Sequence, residues 1–458
     1  MNTAVVVFTG DLRLHDNPVL RAGLDRAGQV VPLFVRDPAI DLSGFAAPNR
    51  LAFLADCLAD LDAGLRERGG RLVLREGDFV EEVCRAAAEA DAGEVHIAAG
   101  VSGYAAGRER RLRTALEADG RRLRSHGGST TVVPPGLLTP AGNDHYAVFS
   151  AYHRRWAGEP VRRPGGAPRV VRVPDKAGSL TLPLPELRSR PTSPGLPKGG
   201  EKAGRAALTG WLRRGLDDYP DFHDRLAEDG TSRLSAHLHF GTLSPTEVVH
   251  RAREAGGAGG DAFVRQLCWR DFNHQLLAAR PQASWQEYRH RGDAWRTEKE
   301  AAEEAEAWRQ GRTGYPIVDA AMRQLAHEGW MHNRARMIVA SFLVKTLYVD
   351  WRVGAEHFLD LLVDGDIANN QLNWQWVAGT GTDTRPNRVL NPLRQADRFD
   401  PEGDYVRHWV PELGGLAGAS VRRPWRLTGR ERAAYDYPEP VVDLQEAQHR
   451  FLAAHGKD

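Results

Sequence analysis

The densest run of chemically capable residues is Asp364-Gly-Asp-Ile-Ala-Asn-Asn-Gln-Leu-Asn-Trp-Gln-Trp376. It mixes carboxylates and amides with two indoles. Wound as a helix, Asn370 and Trp374 lie four apart and share a face. Trp374 and Trp376 then point about 200° apart at ~3.6 residues per turn, so the two rings cannot line one wall. One ring would serve one cavity and its neighbour another. Taken alone, the run reads equally well as a helix start capped by Asp and carrying two core aromatics.

Three further clusters carry polar chemistry. Thr231-Ser-Arg-Leu-Ser235 offers hydroxyls and backbone amides at the start of a helix, which suits a phosphate; simple N-capping is the competing reading. Trp330-Met-His-Asn-Arg-Ala-Arg-Met337 sets Asn333 and Met337 four apart, and His332 and Arg336 likewise. The helix that follows is mostly apolar, so Arg336 needs a carboxylate, and Asp364 or Asp366 can supply it. Phe263-Val-Arg-Gln-Leu-Cys-Trp-Arg-Asp271 puts Gln266 and Trp269 three apart, pairing a stacking surface with an amide able to read a base edge; core packing of Trp269 is the alternative.

The elements that must position these residues fall into two kinds. The first part alternates strands (4–8, 30–35, 71–75, 94–98) with helices (18–26, 51–68, 80–90), which implies a doubly wound parallel α/β sheet. No Gly-x-Gly-x-x-Gly follows the first strand, so a dehydrogenase-type dinucleotide site is not expected. From about 161 to 204 the chain is rich in Pro, Gly, Arg and Ser, as a linker would be. Beyond 205 it reads as helical almost throughout, with Ser244-Pro-Thr-Glu247 as a capping box. The expected division is an α/β domain over 1–130, a linker over 131–204 and an all-α domain over 205–458.

The 458 residues suffice for more than one core, and 61 basic against 60 acidic residues leave a net charge of +1. Function therefore cannot be read from bulk charge, and neither a basic nucleic-acid coat nor an acidic tail is present. Only six of the basic residues are Lys, and Arg is the better fork for phosphate and carboxylate. Cys57, Cys84 and Cys268 lack zinc spacing, so no metal centre is expected and a reduced, cytoplasmic setting is. No run is long enough for a signal peptide core or a membrane span.

Taken together and in order, these segments closely resemble the photolyase/cryptochrome family. The likeness starts at DLRLHDNPVL (11–20) and passes through TSRLS, GYPIVDAAMRQL (314–325) and WMHNRARM to NWQWVAGTGTD. Within the family the chain is most similar to class I cyclobutane pyrimidine dimer photolyases of actinobacterial type. The resemblance implies an N-terminal antenna domain and a C-terminal helical domain holding FAD. It implies that Tyr219, Thr231, Ser232, Leu234 and Ser235 match phosphate-holding positions. Trp269, Arg270, Asn333, Arg336, Asp364, Asp366 and Asn370 match positions lining the flavin ring and adenine, with Arg336–Asp364 a buried pair and Asn370 facing flavin N5. Trp374, Trp351 and Trp295 match an electron-carrying tryptophan chain.

The implied reaction is light-driven: an electron passes from excited reduced FAD to a pyrimidine dimer flipped out of UV-damaged DNA. By the same resemblance Trp269 and Trp376 sandwich the dimer, Gln266, Asn333 and Met337 line the pocket, and Arg334, Arg388 and Arg394 are phosphate contacts. Gln266 departs from the Glu usual in dimer-specific enzymes and cannot carry its charge. The alternatives are a cryptochrome-type blue-light sensor and (6-4) photoproduct repair; a lone His332 where the latter carry paired histidines, and Asn370, speak for the dimer. Arg50 matches the branch whose antenna is 8-hydroxy-5-deazaflavin, although its acidic and lysine partners are replaced by Val101 or Ser102 and by His239. The Asn-Glu pair of the methenyltetrahydrofolate branch is missing from SGYAAGRER. Alone, Arg50 also reads as a solvated cation at a helix start. A monomer acting away from membranes is expected.

Overall fold

A computed structural model describes residues 2–180, 184–297 and 299–456; positions 181–183 of the expected linker, and 298 and 457–458 of the expected helical domain, lie outside them. Five strands form one parallel sheet: β1 (Thr3–Val7), β2 (Gln29–Arg36), β3 (Val73–Glu76), β4 (Ala92–Ala98) and β5 (Arg122–His126). Their order is β3-β2-β1-β4-β5. β1 pairs with both β2 and β4, so the strand order reverses there, and a crevice opens at the carboxyl ends of these strands. β1 is TAVVV with every residue buried, as a central strand covered on both faces must be. Asn17 caps the Pro18–Arg26 helix by accepting from Val19 and Leu20 amides, and Pro18 presets the first turn.

The sequence reading places four strands; the structure adds β5 and the Gly103–Ala118 helix before it. β5 is an edge strand of sequence RLRSH with one buried residue, so it carries no apolar signal. The expected capping box at Ser244 is half formed. Ser244 Oγ accepts from the Glu247 amide at 3.2 Å, but the Glu247 carboxylate turns away to Arg205 at 2.6 Å.

The stretch between sheet and helical domain is not featureless. Phe149–Ala157 is a helix that packs on the long Gly257–Ala279 helix. Buried Asp271 fixes the chain beside it, accepting from the Val132 amide (3.0 Å), the Val133 amide (2.9 Å) and Trp156 Nε1 (2.9 Å). The remaining chain is a helical assembly whose hub is the Ile367–Ala378 helix. That helix packs against Gly257–Ala279, Asn333–Ser341 and Trp351–Leu361. Between the last two, Phe342–Leu347 widens into a π-helix and closes on Tyr348 at φ 60°. No helix among the described residues is long and apolar enough to cross a membrane.

Candidate functional site

Asp366 is the N-cap of the hub helix, accepting from the Asn369 amide at 2.8 Å. Burial works to raise its carboxyl, but His274, His239 and Arg270 outweigh that and hold it well below the usual carboxylate range. His274 Nε2 lies 3.4 Å away and His239 Nδ1 4.0 Å. Of the two carboxylates the sequence offers Arg336, the structure selects Asp364, whose oxygens accept from Arg336 Nη2 at 2.8 and 3.1 Å. Arg336 Nε donates to the Met331 carbonyl at 2.9 Å. A Cβ at Gly365 would stand 2.8 Å from Arg50 Nη1, so the guanidinium would have to shift to admit a side chain there.

One turn into the helix, Asn370 Nδ2 donates to the Ala355 carbonyl at 3.0 Å. Trp374, a turn later on the same face, packs on Phe358 and Trp308 with ring centres 5.0 and 6.1 Å away. Any side chain at Gly354 would collide with its ring. Trp376 leaves the opposite side, half buried, with the Arg388 guanidinium 5.1 Å above it. The divergence expected from helix geometry is thus present in the fold.

Trp351 opens the helix that carries Gly354 and Ala355 and is fully buried. Trp295 is partly exposed and packs on Tyr348 at 5.1 Å. Trp308, which sequence reasoning missed, lies within this aromatic group and donates to the Val339 carbonyl at 3.1 Å. An indole two turns before GYPIVDAA was its only signal.

Asn333 opens its helix with an exposed side chain, and Met337, a turn on, lies against Arg334 Nη1 at 3.6 Å. Gln266 is exposed on the long helix. Trp269 stays partly exposed while stacking flat on Phe149, ring centres 3.6 Å apart. The 231–235 segment ends in a five-residue helix, Ser235–His239, and neither Thr231 nor Ser232 caps it, which removes the simple N-capping reading. Ser235 Oγ accepts from Trp330 Nε1 at 3.2 Å, Leu234 is buried, and Tyr219 is enclosed by Trp211 and Phe263. Among the arginines offered as phosphate contacts, Arg334 is committed to Asp224 at 2.7 Å, whereas Arg388 and Arg394 are exposed.

Between the two domains lies a cavity of about 1360 Å³. The carboxyl ends of β1 to β4 form one side, and His239, Arg270, His274 and Asp366 stand on the other. Arg270 reaches across to the Thr130 carbonyl and to that of Leu238. Arg50 lines this cavity but is not a solvated cation: it is 3% exposed. Its guanidinium donates to the carbonyls of Phe45, Leu359 and Leu362, and burial lowers its pKa to about 10. Val101, Ser102 and Tyr104 also line the cavity.

Comparison with known proteins decides the kinship. Over 459 aligned residues the chain is 64% identical to a Streptomyces griseus protein named deoxyribodipyrimidine photo-lyase, covering all of both chains. The chain belongs to the DNA photolyase family. Residues 4–168 match the family described as DNA photolyase, and 263–457 the FAD binding domain of DNA photolyase. A class III photolyase from Agrobacterium tumefaciens superimposes with a TM-score of 0.92 at 34% identity, over 100% of this chain and 97% of that one. An archaeal photolyase from Sulfolobus tokodaii, solved with two FAD molecules, gives 0.87 at 31%, with both chains fully covered.

As a DNA photolyase, the chain carries an FAD-binding domain, and its residues fit that group. Arg336 keeps Nη1 free of hydrogen bonds among the described residues, and the positions matched by the resemblance supply hydroxyls (Ser232, Ser235), amides (Asn333, Asn370) and carboxylates (Asp364, Asp366). Ring nitrogens, ribose hydroxyls and a diphosphate call for that mixture of donors and acceptors.

Proposed function

We propose that this protein repairs cyclobutane pyrimidine dimers in UV-damaged DNA under light. The observation that carries the reading is the whole-chain likeness to the Streptomyces griseus photo-lyase. The opposed directions of Trp374 and Trp376 supply its mechanical basis. Bound FAD supplies the electron that opens the dimer. The protein's part is to hold, orient and exclude. Tyr219, Thr231, Ser232, Leu234 and Ser235 would cradle the diphosphate; Arg270, Asn333, Arg336, Asp364, Asp366 and Asn370 would border the rings.

On the outer side Trp376 and Trp269 offer flat faces to the flipped bases, Gln266 and Asn333 offer amides, and Met337 fills between them. Arg388 and Arg394 lie exposed for the flanking phosphates. We assign the antenna role to 1–130, connection to 131–204 and repair to 205–458. The test is illumination of the reduced protein with an oligonucleotide bearing one thymine dimer. Recovery of intact thymines is expected; none would sink the reading.

Trp374, Trp351 and Trp295 would carry an electron inward from the surface. Trp351 suits a middle station, since its Nε1 is buried without an acceptor among the described residues and has nowhere to release a proton. Trp351→Phe should slow flavin photoreduction sharply while pre-reduced protein still repairs dimers. Equal loss of both would contradict the assignment.

For the interdomain cavity we propose a second chromophore, 8-hydroxy-5-deazaflavin rather than methenyltetrahydrofolate. Arg50 on its wall and the missing Asn-Glu pair support this choice. An absorption spectrum of the pigments released by heat distinguishes the two. A folate spectrum would overturn it.

A further inference from the structure

Lys345 is one of only six lysines in a chain that otherwise uses arginine. It sits in the middle of the π-helix and is 1% exposed. Its Nζ donates to the carbonyls of Pro386 (2.7 Å) and Arg388 (2.8 Å), and the Phe451 ring lies 5.7 Å away. Among the described residues no carboxylate approaches it within ion-pair distance. A buried cation hydrogen-bonded by carbonyls alone is a poor way to stabilise a fold, because its desolvation exceeds what two neutral acceptors return.

The arrangement does fix a turn. The widened helix carries a compact three-donor head to the underside of the 386–388 backbone, where a planar Arg fork would meet the two carbonyls less well. The same turn is tied at its sides by Arg291 Nη2 to Asn387 Oδ1 (2.8 Å) and by the Leu390 amide to Ser341 Oγ (3.0 Å). Its outer surface bears Arg388, above Trp376.

We propose that Lys345 is a positioning residue for lesion recognition, holding the 386–388 turn from beneath so that Arg388 stays over Trp376 at the mouth of the dimer pocket. The inference rests on the repair reading above. The ammonium faces Asp383 and Asp293, which favour its charge, and Arg291 and Arg388, which oppose it; His455 is engaged by Asp293 at 2.9 Å. Burial dominates and lowers Lys345 to about 8.

Opposite signs follow. Between pH about 8 and the ordinary lysine value the unfolded chain binds the extra proton, so the contribution of this group to folding stability rises with pH. Over the same range the amine loses its charge and its grip on the turn weakens, so dimer affinity falls.

The experiment titrates the flavin-loaded protein, in the dark, with an oligonucleotide carrying one thymine dimer and with its undamaged twin. Lys345→Met should weaken dimer binding about tenfold or more, the factor set by about 1.4 kcal/mol. Affinity for the twin should fall less than that for the dimer, and flavin content and the denaturation midpoint should not fall. Unchanged dimer affinity in the variant, or a parallel loss of flavin and stability, would overturn the inference. If Lys345→Met does not fold, the parent protein decides: its preference for the dimer should decline from pH 7.5 toward 10 (a range set around the lysine values above), and a constant preference would overturn the inference. A parent protein that never prefers the dimer overturns the repair reading itself.

Discussion

Replacing Asp364 with Ala is expected to lower stability by about 3–5 kcal/mol and to strip the protein of flavin. The carboxylate is 3% exposed at its side chain and takes both bonds of Arg336 Nη2. Without it a half-buried guanidinium keeps one carbonyl, that of Met331, and no counter-charge. The same site loses the carboxylate that helps neutralise Arg50 beneath Gly365. Arg50 would then be left with Asp360 as its counter-charge. Urea denaturation and the flavin-to-protein absorbance ratio measure the two effects. Asp364→Asn, which keeps an acceptor but loses the charge, should fall between. A variant that matches the parent in both would show that the pair holds neither loop nor cofactor.

The second large effect is on substrate. Trp376→Ala should reduce dimer affinity about ten- to hundredfold, since stacking on an aromatic face contributes about 1–3 kcal/mol per base. Flavin should stay bound, because Trp376 leaves the helix on the side away from Asn370 and Trp374. Binding measurements with damaged and undamaged oligonucleotides, alongside the flavin spectrum, separate the outcomes. Loss of flavin together with dimer affinity would mean that the two faces of this helix are not separate in function. Arg388 loses its ring in this variant, so Arg388→Ala and Trp376→Ala should combine less than additively.

Much of this layout is legible in the sequence, for reasons that differ by element. The inner strands announce themselves because buried parallel strands must be β-branched and apolar: TAVVV has no other reading. β5 is invisible because an edge strand is selected by its hydrogen bonds to β4, and RLRSH shows only charge. Trp374 and Trp376 separate by helix geometry alone, since their angle needs no tertiary information. Arg336 and its carboxylate differ: the need for a partner is readable, but whether Asp364 or Asp366 provides it depends on where the 364–366 turn places each, and His274 and His239 claim Asp366. Lys345 hides for the opposite reason. A single lysine in an apolar run looks like a snorkelling surface residue until the chain beyond Gly379 folds over it.

Arg50 has a consequence for how such proteins can be recombined. It leaves the N-terminal half of the chain and ends on the carbonyls of Leu359, in the last turn of the helix that starts with Trp351, and of Leu362, its C-cap. All its acceptors are main-chain carbonyls, but its charge is offset by Asp360 and Asp364 of the helical half. A foreign N-terminal domain lacking a cation at this point would leave the Leu359 and Leu362 carbonyls buried and bare, and one that carries it still relies on carboxylates at 360 and 364. Exchange between relatives is therefore governed by both partners: the cation belongs to one domain and its counter-charges to the other.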